Sequence, residues 1–325
     1  VAVSGGSDSL ALMHLLAAHA RAAKAPAPIV LTVDHGLRKS AARDAKQVVA
    51  WAKQAGLKVH LLTWRGAKPK SGVEAAAREA RYRLMGAWLV KNRIGTLHVG
   101  HTRDDQAETF LLRLMRGSGL DGLAAMQATA PWPVPGFDGL GVRRPLLGFA
   151  RIELRAHLDA IGQAWLDDPM NEDPAFDRVR LRKARGALEE AGLTMARIAA
   201  AAAHLARARA ALEVMTEAVL ERASYPFRRG FVLDASALAA APREVGLRAL
   251  AALLMAAGGQ AYRPRFDSLE RLFDRIAGGT LGAGVTLHGC HIRPAARSGR
   301  AKAAHLLLVE PEKPRKTAAS RKKRD

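Results

Sequence analysis

Cysteine is almost absent from this sequence, and aromatic side chains and long apolar runs are scarce. The single thiol, Cys290, excludes an intrachain disulfide, a multi-cysteine zinc site and any two-thiol relay within the chain. A small, semi-buried apolar role is expected of it. Aromatics make up only 5% of the residues, so base stacking cannot dominate the grip on a nucleic acid. No apolar stretch reaches membrane-spanning length; the longest clean run, Ala249 to Ala257, is too short. A basic-then-apolar leader is also missing, which makes a cytoplasmic protein the expectation. The chain opens on Val1-Ala2-Val3 without Met, so a short preceding piece is expected. Two common phosphate-binding patterns are lacking from the loop after the first strand as well. There is no G-x-x-x-x-G-K followed by Ser or Thr, hence no lysine reaching a γ-phosphate. The G-x-G-x-x-G dinucleotide pattern is absent from that loop too, and Gly282-Ala283-Gly284 is a decoy, lying late among strands with no helix after it.

What is abundant is positive charge. Lys and Arg total 51 against 30 Asp and Glu, a net charge of +21 over 325 residues. Such a field attracts polyanions, and a nucleic acid is the first partner to consider; an Ala- and Arg-rich codon bias is the bland alternative. The length suffices for two domains. Along the first half, short β-rich runs (Val1–Val3, Ile29–Val33, Val59–Thr63, Thr96–Val99) alternate with amphipathic stretches (Ser9–Ala23, Ala41–Ala55, Val73–Asn92). That alternation predicts an α/β fold with a parallel, doubly wound sheet covered on both faces. Ligands in such sheets bind beyond the carboxyl ends of the strands. After the Pro- and Gly-rich stretch near Pro131–Gly136 a helix is expected over Ala150–Ile161, then an Ala-rich helix over Ala184–Ala223. A hairpin near Tyr225–Leu233, helices near Arg243–Ala257 and Pro264–Ala277, and strands near Thr280–Arg293 and His305–Val309 complete a smaller, mainly helical C-terminal domain. The expected division is 1–185 the strand–helix domain, 186–223 a linking helix, 224–310 the C-terminal domain and 311–325 a basic tail with little to bury.

Two segments carry candidate chemistry. Ser4-Gly5-Gly6-Ser7-Asp8-Ser9 joins the first strand to the first helix. Its glycines let backbone approach a ligand, the helix start presents unpaired N–H groups, and the serines add hydroxyl donors. An ordinary capped turn has the same composition. The second segment is Gly100-His101-Thr102-Arg103-Asp104-Asp105-Gln106-Ala107-Glu108-Thr109. His101, Asp105 and Glu108 fall at i, i+4 and i+7 and share one helical face, whereas Ala107, Phe110, Leu111 and Leu114 form a separate apolar stripe expected to face the core. One His with carboxylates suits Mg2+ or an amine better than Zn2+; a bare Asp-Asp pair would merely complement the helix dipole.

S-G-G-x-D-S on a strand-turn-helix resembles the PP-loop of N-type ATP pyrophosphatases, an adenine nucleotide alpha hydrolase-like fold. The ordered series Ser4–Ser9, Val33–Arg38, Glu74–Arg78 with Arg81-Tyr82, Gly100–Thr109, Arg116–Leu123, Arg144–Leu147 and Asp168–Asn171 with Arg178 and Arg182 resembles tRNA(Ile)-lysidine synthetases over about residues 1–185. Val179 departs from the Asn usual in that family, and no counterpart of the second C-terminal domain of longer members is expected here. The resemblance implies an ATP-dependent, AMP- and pyrophosphate-forming ligase with Mg2+, with residues 1–185 catalytic and 224–310 tRNA-binding. It would join free L-lysine to C2 of the wobble cytidine in the CAU anticodon of tRNA(Ile), changing codon reading from AUG to AUA. It further implies ATP contacts from Ser4, Gly5, Gly6, Ser7, Asp8, Ser9, Val33, His35, Gly100 and His101, with Asp8 the candidate Mg2+ ligand. Arg81 would face the nucleotide phosphates, Asp105 and Glu108 would hold lysine, and Arg116, Arg178 and Arg182 would contact tRNA. Asp8, Arg81, Asp105 and Glu108 are thus the candidate catalytic set. Another PP-loop tRNA modifier such as a base thiolase, or an ATP-sensing RNA-binding protein without catalysis, are the competing readings. Whether the chain pairs as a homodimer is left open by the sequence.

Overall fold

A computed structural model of the chain describes residues 1–38, 40–66, 68–69, 71–167, 177–295 and 305–312. The chain divides into two compact units, Val1–Arg207 and Ala208–Asp325.

In the N-terminal unit, residues 1–3 run through the middle of the sheet. Ala2 N–H donates to His98 O at 2.9 Å, Val3 N–H donates to Leu31 O at 2.9 Å, and Leu31 N–H donates to Val1 O at 2.8 Å. On one side lies β1 (Val30–Asp34), parallel to β2 (Val59–Thr63); on the other lies β3 (Thr96–His98), parallel to β5 (Gly141–Arg143), which carries an antiparallel edge, β4 (Thr129–Pro131). The parallel core follows the expectation; β4 and β5, three residues each, were not separable from loop by pattern. Alternation along the strands feeds two cores. Val1, Val3 and Val30 pack with Leu10 and Met13 of α1 (Ser7–Ala22), Val48 of α2 (Ala41–Gln54) and Leu154 and Leu158 of α6 (Arg151–Ala160). Leu31, Leu97, Val99 and Val142 pack on the other face with Tyr82, Met85 and Leu89 of α3 (Val73–Lys91) and with Trp132. Trp132 meets Tyr82 edge-on at 5.4 Å, a favoured aromatic geometry. The N-terminal segment is the strand at which the sheet reverses direction, and the loops after it and after β3 flank that switch point.

The Ala184–Ala223 stretch is not one helix. After α7 (Asp177–Lys183), α8 spans Arg185–Glu190 and α9 spans Met195–Ala223. Gly192 at φ +82 interrupts them, a left-handed conformation in which glycine carries no Cβ penalty. Its carbonyl accepts from Arg197 Nη1 at 2.9 Å.

The C-terminal unit has a five-stranded antiparallel sheet in the order β6-β7-β10-β9-β8 (Ser224–Phe227, Gly230–Asp234, Leu306–Pro311, Cys290–Pro294, Val285–Leu287). Helices α10 (Ala235–Ala239), α11 (Arg243–Gly258) and α12 (Phe266–Ala277) accompany it. Leu233, Ile292, Leu307 and Val309 from the sheet bury against Leu250 and Leu254 of α11 and Leu272, Phe273 and Ile276 of α12. Cys290 is fully buried there, its Sγ donating to Leu254 O at 3.2 Å. Among the described residues, no helix is long and apolar enough to cross a membrane.

Candidate active site

The phosphate-loop sequence folds as a bend closed on itself. Gly5 takes φ +97, and a Cβ there would meet Leu166 Cδ1 at 2.8 Å. Ser9 Oγ donates to Gly6 O at 2.9 Å and accepts from Ser4 N–H at 3.2 Å. Ser9 is therefore spent on shaping the bend. Gly6 is the N-cap of α1 and offers no side-chain cap, which leaves first-turn N–H groups for an anion. Ser7 Oγ donates to Asp8 Oδ1 at 3.1 Å.

Helix α4 (Arg103–Met115) begins beside it. A Cβ on Gly100 would lie 2.8 Å from Asp8 O and 3.0 Å from Ser9 N, so the two loops touch backbone to backbone and only glycine fits. Thr102 and Asp105 form a capping box: Asp105 Oδ2 accepts from Thr102 N–H at 2.8 Å and from Thr102 Oγ1 at 2.9 Å, and Thr102 Oγ1 accepts from Asp105 N–H at 3.3 Å. A Thr-x-x-acid spacing before an apolar run is the sequence signal for this box. Gln106 clasps Met126 with two 2.8 Å bonds, one from its amide to the carbonyl and one back from the N–H. The expected division of α4 into two faces is only partly realised. Asp104, Asp105 and Glu108 are buried with Ala107, whereas Leu114 is 51% and Met115 65% exposed. The amino-terminal half of the helix points into the charged cluster, and the apolar stripe runs out into solvent.

Arginines from distant segments enclose these carboxylates. Arg151, at the start of α6, donates from Nε to Asp8 Oδ2 at 2.9 Å and from Nη2 to Asp105 Oδ1 at 3.3 Å, with Nη1 3.9 Å from Glu108 Oε1. Its backbone N–H donates to Asp104 Oδ2 at 2.8 Å. Arg182 grips Glu108 through Nε at 2.6 Å and Nη2 at 3.1 Å, and Arg185 reaches Asp104 Oδ1 at 3.3 Å. Burial works against the Arg151 charge, but Asp8, Asp105 and Glu108 outweigh it and raise its pKa further above the ordinary range. Burial likewise opposes ionisation of Asp105, yet Arg151 and the Thr102 hydrogen bonds hold its carboxyl below its usual value. Among the described ion pairs of this cluster, the four carboxylates of Asp8, Asp104, Asp105 and Glu108 face the three guanidiniums of Arg151, Arg182 and Arg185, leaving one negative charge.

His101 stands just before the cap, outside the helix proper. Burial, with Arg144, Arg78 and Arg178 adding to it against the pull of Asp105, lowers its pKa to about 4. It is neutral at physiological pH, and because Nδ1 accepts from Arg144 Nε at 3.2 Å, the ring proton sits on Nε2.

Of the residues singled out from the sequence, Ser4–Ser9, Gly100, His101, Asp105, Glu108 and Arg182 thus come together. Val33 and His35 lie at the carboxyl end of β1, where His35 Nδ1 accepts from Leu37 N–H at 3.1 Å and Asp34 Oδ1 accepts from Gly36 N–H at 3.0 Å. Arg81 is exposed on α3. Arg116 pairs with Asp177 at 3.2 Å, and Val179 is buried, so the departure from Asn puts an apolar group in the core of that turn. Asp168–Asn171 fall outside the described residues. Arg151 was not foreseen: a lone arginine opening a helix carries no pattern, and its partners are as far as 143 positions away.

A bend offering N–H groups at a sheet's switch point, packed on a helix of buried acids, is the geometry of an α/β domain that binds a phosphate-bearing ligand. Residues 1–186 match the model of the PP-loop domain family. The chain is 44% identical to the tRNA(Ile)-lysidine synthase of Bradyrhizobium diazoefficiens, covering 87% of this chain and 80% of that protein. It is 40% identical to the enzyme of that name from a Bradyrhizobium species, covering 97% and 90%, and 37% identical to that of Wolbachia pipientis, covering 90% and 67%. The chain belongs to the tRNA(Ile)-lysidine synthase family. Among solved structures, a U34-tRNA thiolase from Methanococcus maripaludis superposes with a TM-score of 0.50 at 16% identity, over 65% of this chain and 70% of that one, a likeness of fold.

Proposed function

We propose that this protein ligates free L-lysine to C2 of the wobble cytidine of tRNA(Ile), using ATP in two steps. The cytidine 2-oxygen attacks the α-phosphorus and pyrophosphate leaves; the ε-ammonium of lysine loses a proton, the amine attacks C2, AMP leaves, and the nitrogen of the new C–N bond loses a second proton. ATP, lysine and tRNA all occur in the cytoplasm, where the reaction would run.

The observation that carries this reading is the excess of one carboxylate over guanidiniums among the described ion pairs beside the phosphate bend. A free amine of pKa about 10.4 arrives as an ammonium and is the complement of that charge. Asp105 and Glu108 would receive it, and loss of its proton within the site frees the nucleophile. The first-turn N–H groups of α1 and the bend at Ser4–Ser9 would take the pyrophosphate as charge builds on it. Mg2+ commonly uses one or two carboxylates plus phosphates, which fits Asp8 as its holder; the ion would neutralise charge on the departing group. His101 would donate from Nε2 as a neutral group, with Val33 and His35 approaching the adenine and Arg81 facing the phosphates. Arg178 suits tRNA phosphates, whereas Arg116, paired with Asp177, and Arg182, paired with Glu108, would reach RNA only by releasing those acids. The C-terminal unit and the basic tail would extend the contact with tRNA, so affinity should fall steeply with salt.

A thiolase reading finds no support in the cysteine. Burial pushes the Cys290 thiol up to about 11, away from the thiolate that sulfur chemistry requires. The test is mass spectrometry of tRNA(Ile) incubated with protein, ATP and lysine. A cytidine carrying lysine is expected, with pyrophosphate released in the presence of tRNA. Pyrophosphate release without any lysine-bearing nucleoside would overturn the substrate, and no release at all would overturn the chemistry.

A further inference from the structure

Arg151 is a charged group at the centre of the site to which the proposed reaction gives no part. Its three guanidinium nitrogens each face a different carboxylate: Nε faces Asp8, Nη2 faces Asp105 and Nη1 faces Glu108. Asp8 belongs to α1 at the phosphate end. Asp105 and Glu108 belong to α4 at the amine end. The main chain of Arg151 is fixed independently, through its N–H to Asp104 and through the packing of Leu154 and Leu158 of the same helix into the core shared with α1. A planar fork on an anchored helix can hold three acids at set separations; a lysine ammonium at that position, a compact charge on a flexible stem, cannot reproduce the span.

We propose that Arg151 is a positioning residue that couples the two half-reactions, holding the adenylating end and the lysine-receiving carboxylates in one register. This rests on the reading that Asp105 and Glu108 receive the ammonium. Without Arg151, three acids of like charge sit together with fewer cations. They move apart, and one binds a proton or a stray cation in place of lysine. Adenylated tRNA would still form and then wait for an amine that is poorly placed.

The experiment uses the full chain, tRNA(Ile) transcript, ATP and lysine, with Arg151→Lys and Arg151→Gln. Two readouts are taken: pyrophosphate released with tRNA but no lysine, and the lysine concentration dependence of lysidine formation. Thermal midpoints of both variants are recorded alongside. The Arg151→Lys variant, which keeps a positive charge and so protects the fold, is expected to show a lysine KM raised at least tenfold and adenylated tRNA accumulating during turnover. Arg151→Gln is expected to show a larger rise. A purely structural arginine would instead lower the thermal midpoint and kcat together and leave the lysine KM within twofold, and that result in either folded variant overturns the proposal. If the unmodified protein fails to attach lysine, the functional reading fails instead, and the two failures are told apart by that control.

Discussion

Helices α4 and α12 are 13 and 12 residues long and use their faces in opposite ways. In α12 the apolar side chains Leu269, Leu272, Phe273 and Ile276 are buried, while Glu270 and Asp274 meet Arg243 on the outside. In α4 the carboxylates of Asp104, Asp105 and Glu108 are buried and Leu114 and Met115 are exposed. The first arrangement is what folding alone favours. The second places acids where each needs an arginine partner to offset desolvation, and such inversions cluster at functional sites. Mutations in α12 should therefore read out mainly as stability, and mutations in the first half of α4 mainly as turnover.

The largest effect should come from Phe273→Ala. Truncating a buried aromatic costs about 3–5 kcal/mol, to be seen by chemical denaturation as early loss of the C-terminal unit. Asp105→Asn is the counterpart in α4. Its amide oxygen can still accept from Thr102, so the cap survives while the charge and the hydrogen bond from Arg151 are lost. Lysine-dependent AMP release should drop by about 100-fold, within the 2–5 kcal/mol typical of a buried charge pair, with the thermal midpoint little moved. An unchanged lysine dependence would remove its amine-holding role.

Gly100→Ala tests whether the two loops are held by shape. The added methyl should cost about 1–3 kcal/mol of overpacking and abolish tRNA-dependent pyrophosphate release by displacing the Asp8–Ser9 backbone. A smaller effect is expected from pH. The folded pKa of His101, about 4, lies below its unfolded value, so the stability gained by keeping the ring neutral is complete above about 6.5 and is lost as pH falls toward 4. Between pH 7 and 5 the unmodified protein should lose stability faster than His101→Gln; parallel curves would contradict the buried neutral ring. Smallest of all, Leu114→Ala should change stability by no more than about 0.5 kcal/mol, despite lying on what reads as an apolar stripe.

Much of this was legible in the sequence, for physical reasons that differ by element. The strands Val30–Asp34 and Val59–Thr63 and the helices α1–α3 are set by local periodicity, and their bounds match the pattern to within two residues at each end. The phosphate bend and the acids of α4 were legible because each is a continuous motif. The long Ala-rich helix was misread because alanine propensity gives no weight to Gly192, whose left-handed backbone ends the turn. The burial of Asp104, Asp105 and Glu108 could not be read, since it depends on Arg151, Arg182 and Arg185 arriving from 43 to 81 positions further along. Helical phase distinguishes faces but does not say which face the rest of the chain will charge-match.

Gly100 has a consequence for any survey of tolerated substitutions. It would score as intolerant as Asp105, yet for a reason that needs no contact with a reacting atom. Its requirement is for emptiness, because the carbonyl of Asp8 already fills the room a methyl would need. Intolerance at these neighbouring positions would then have separate origins, one in shape and one in charge. Only the second should respond to ionic strength.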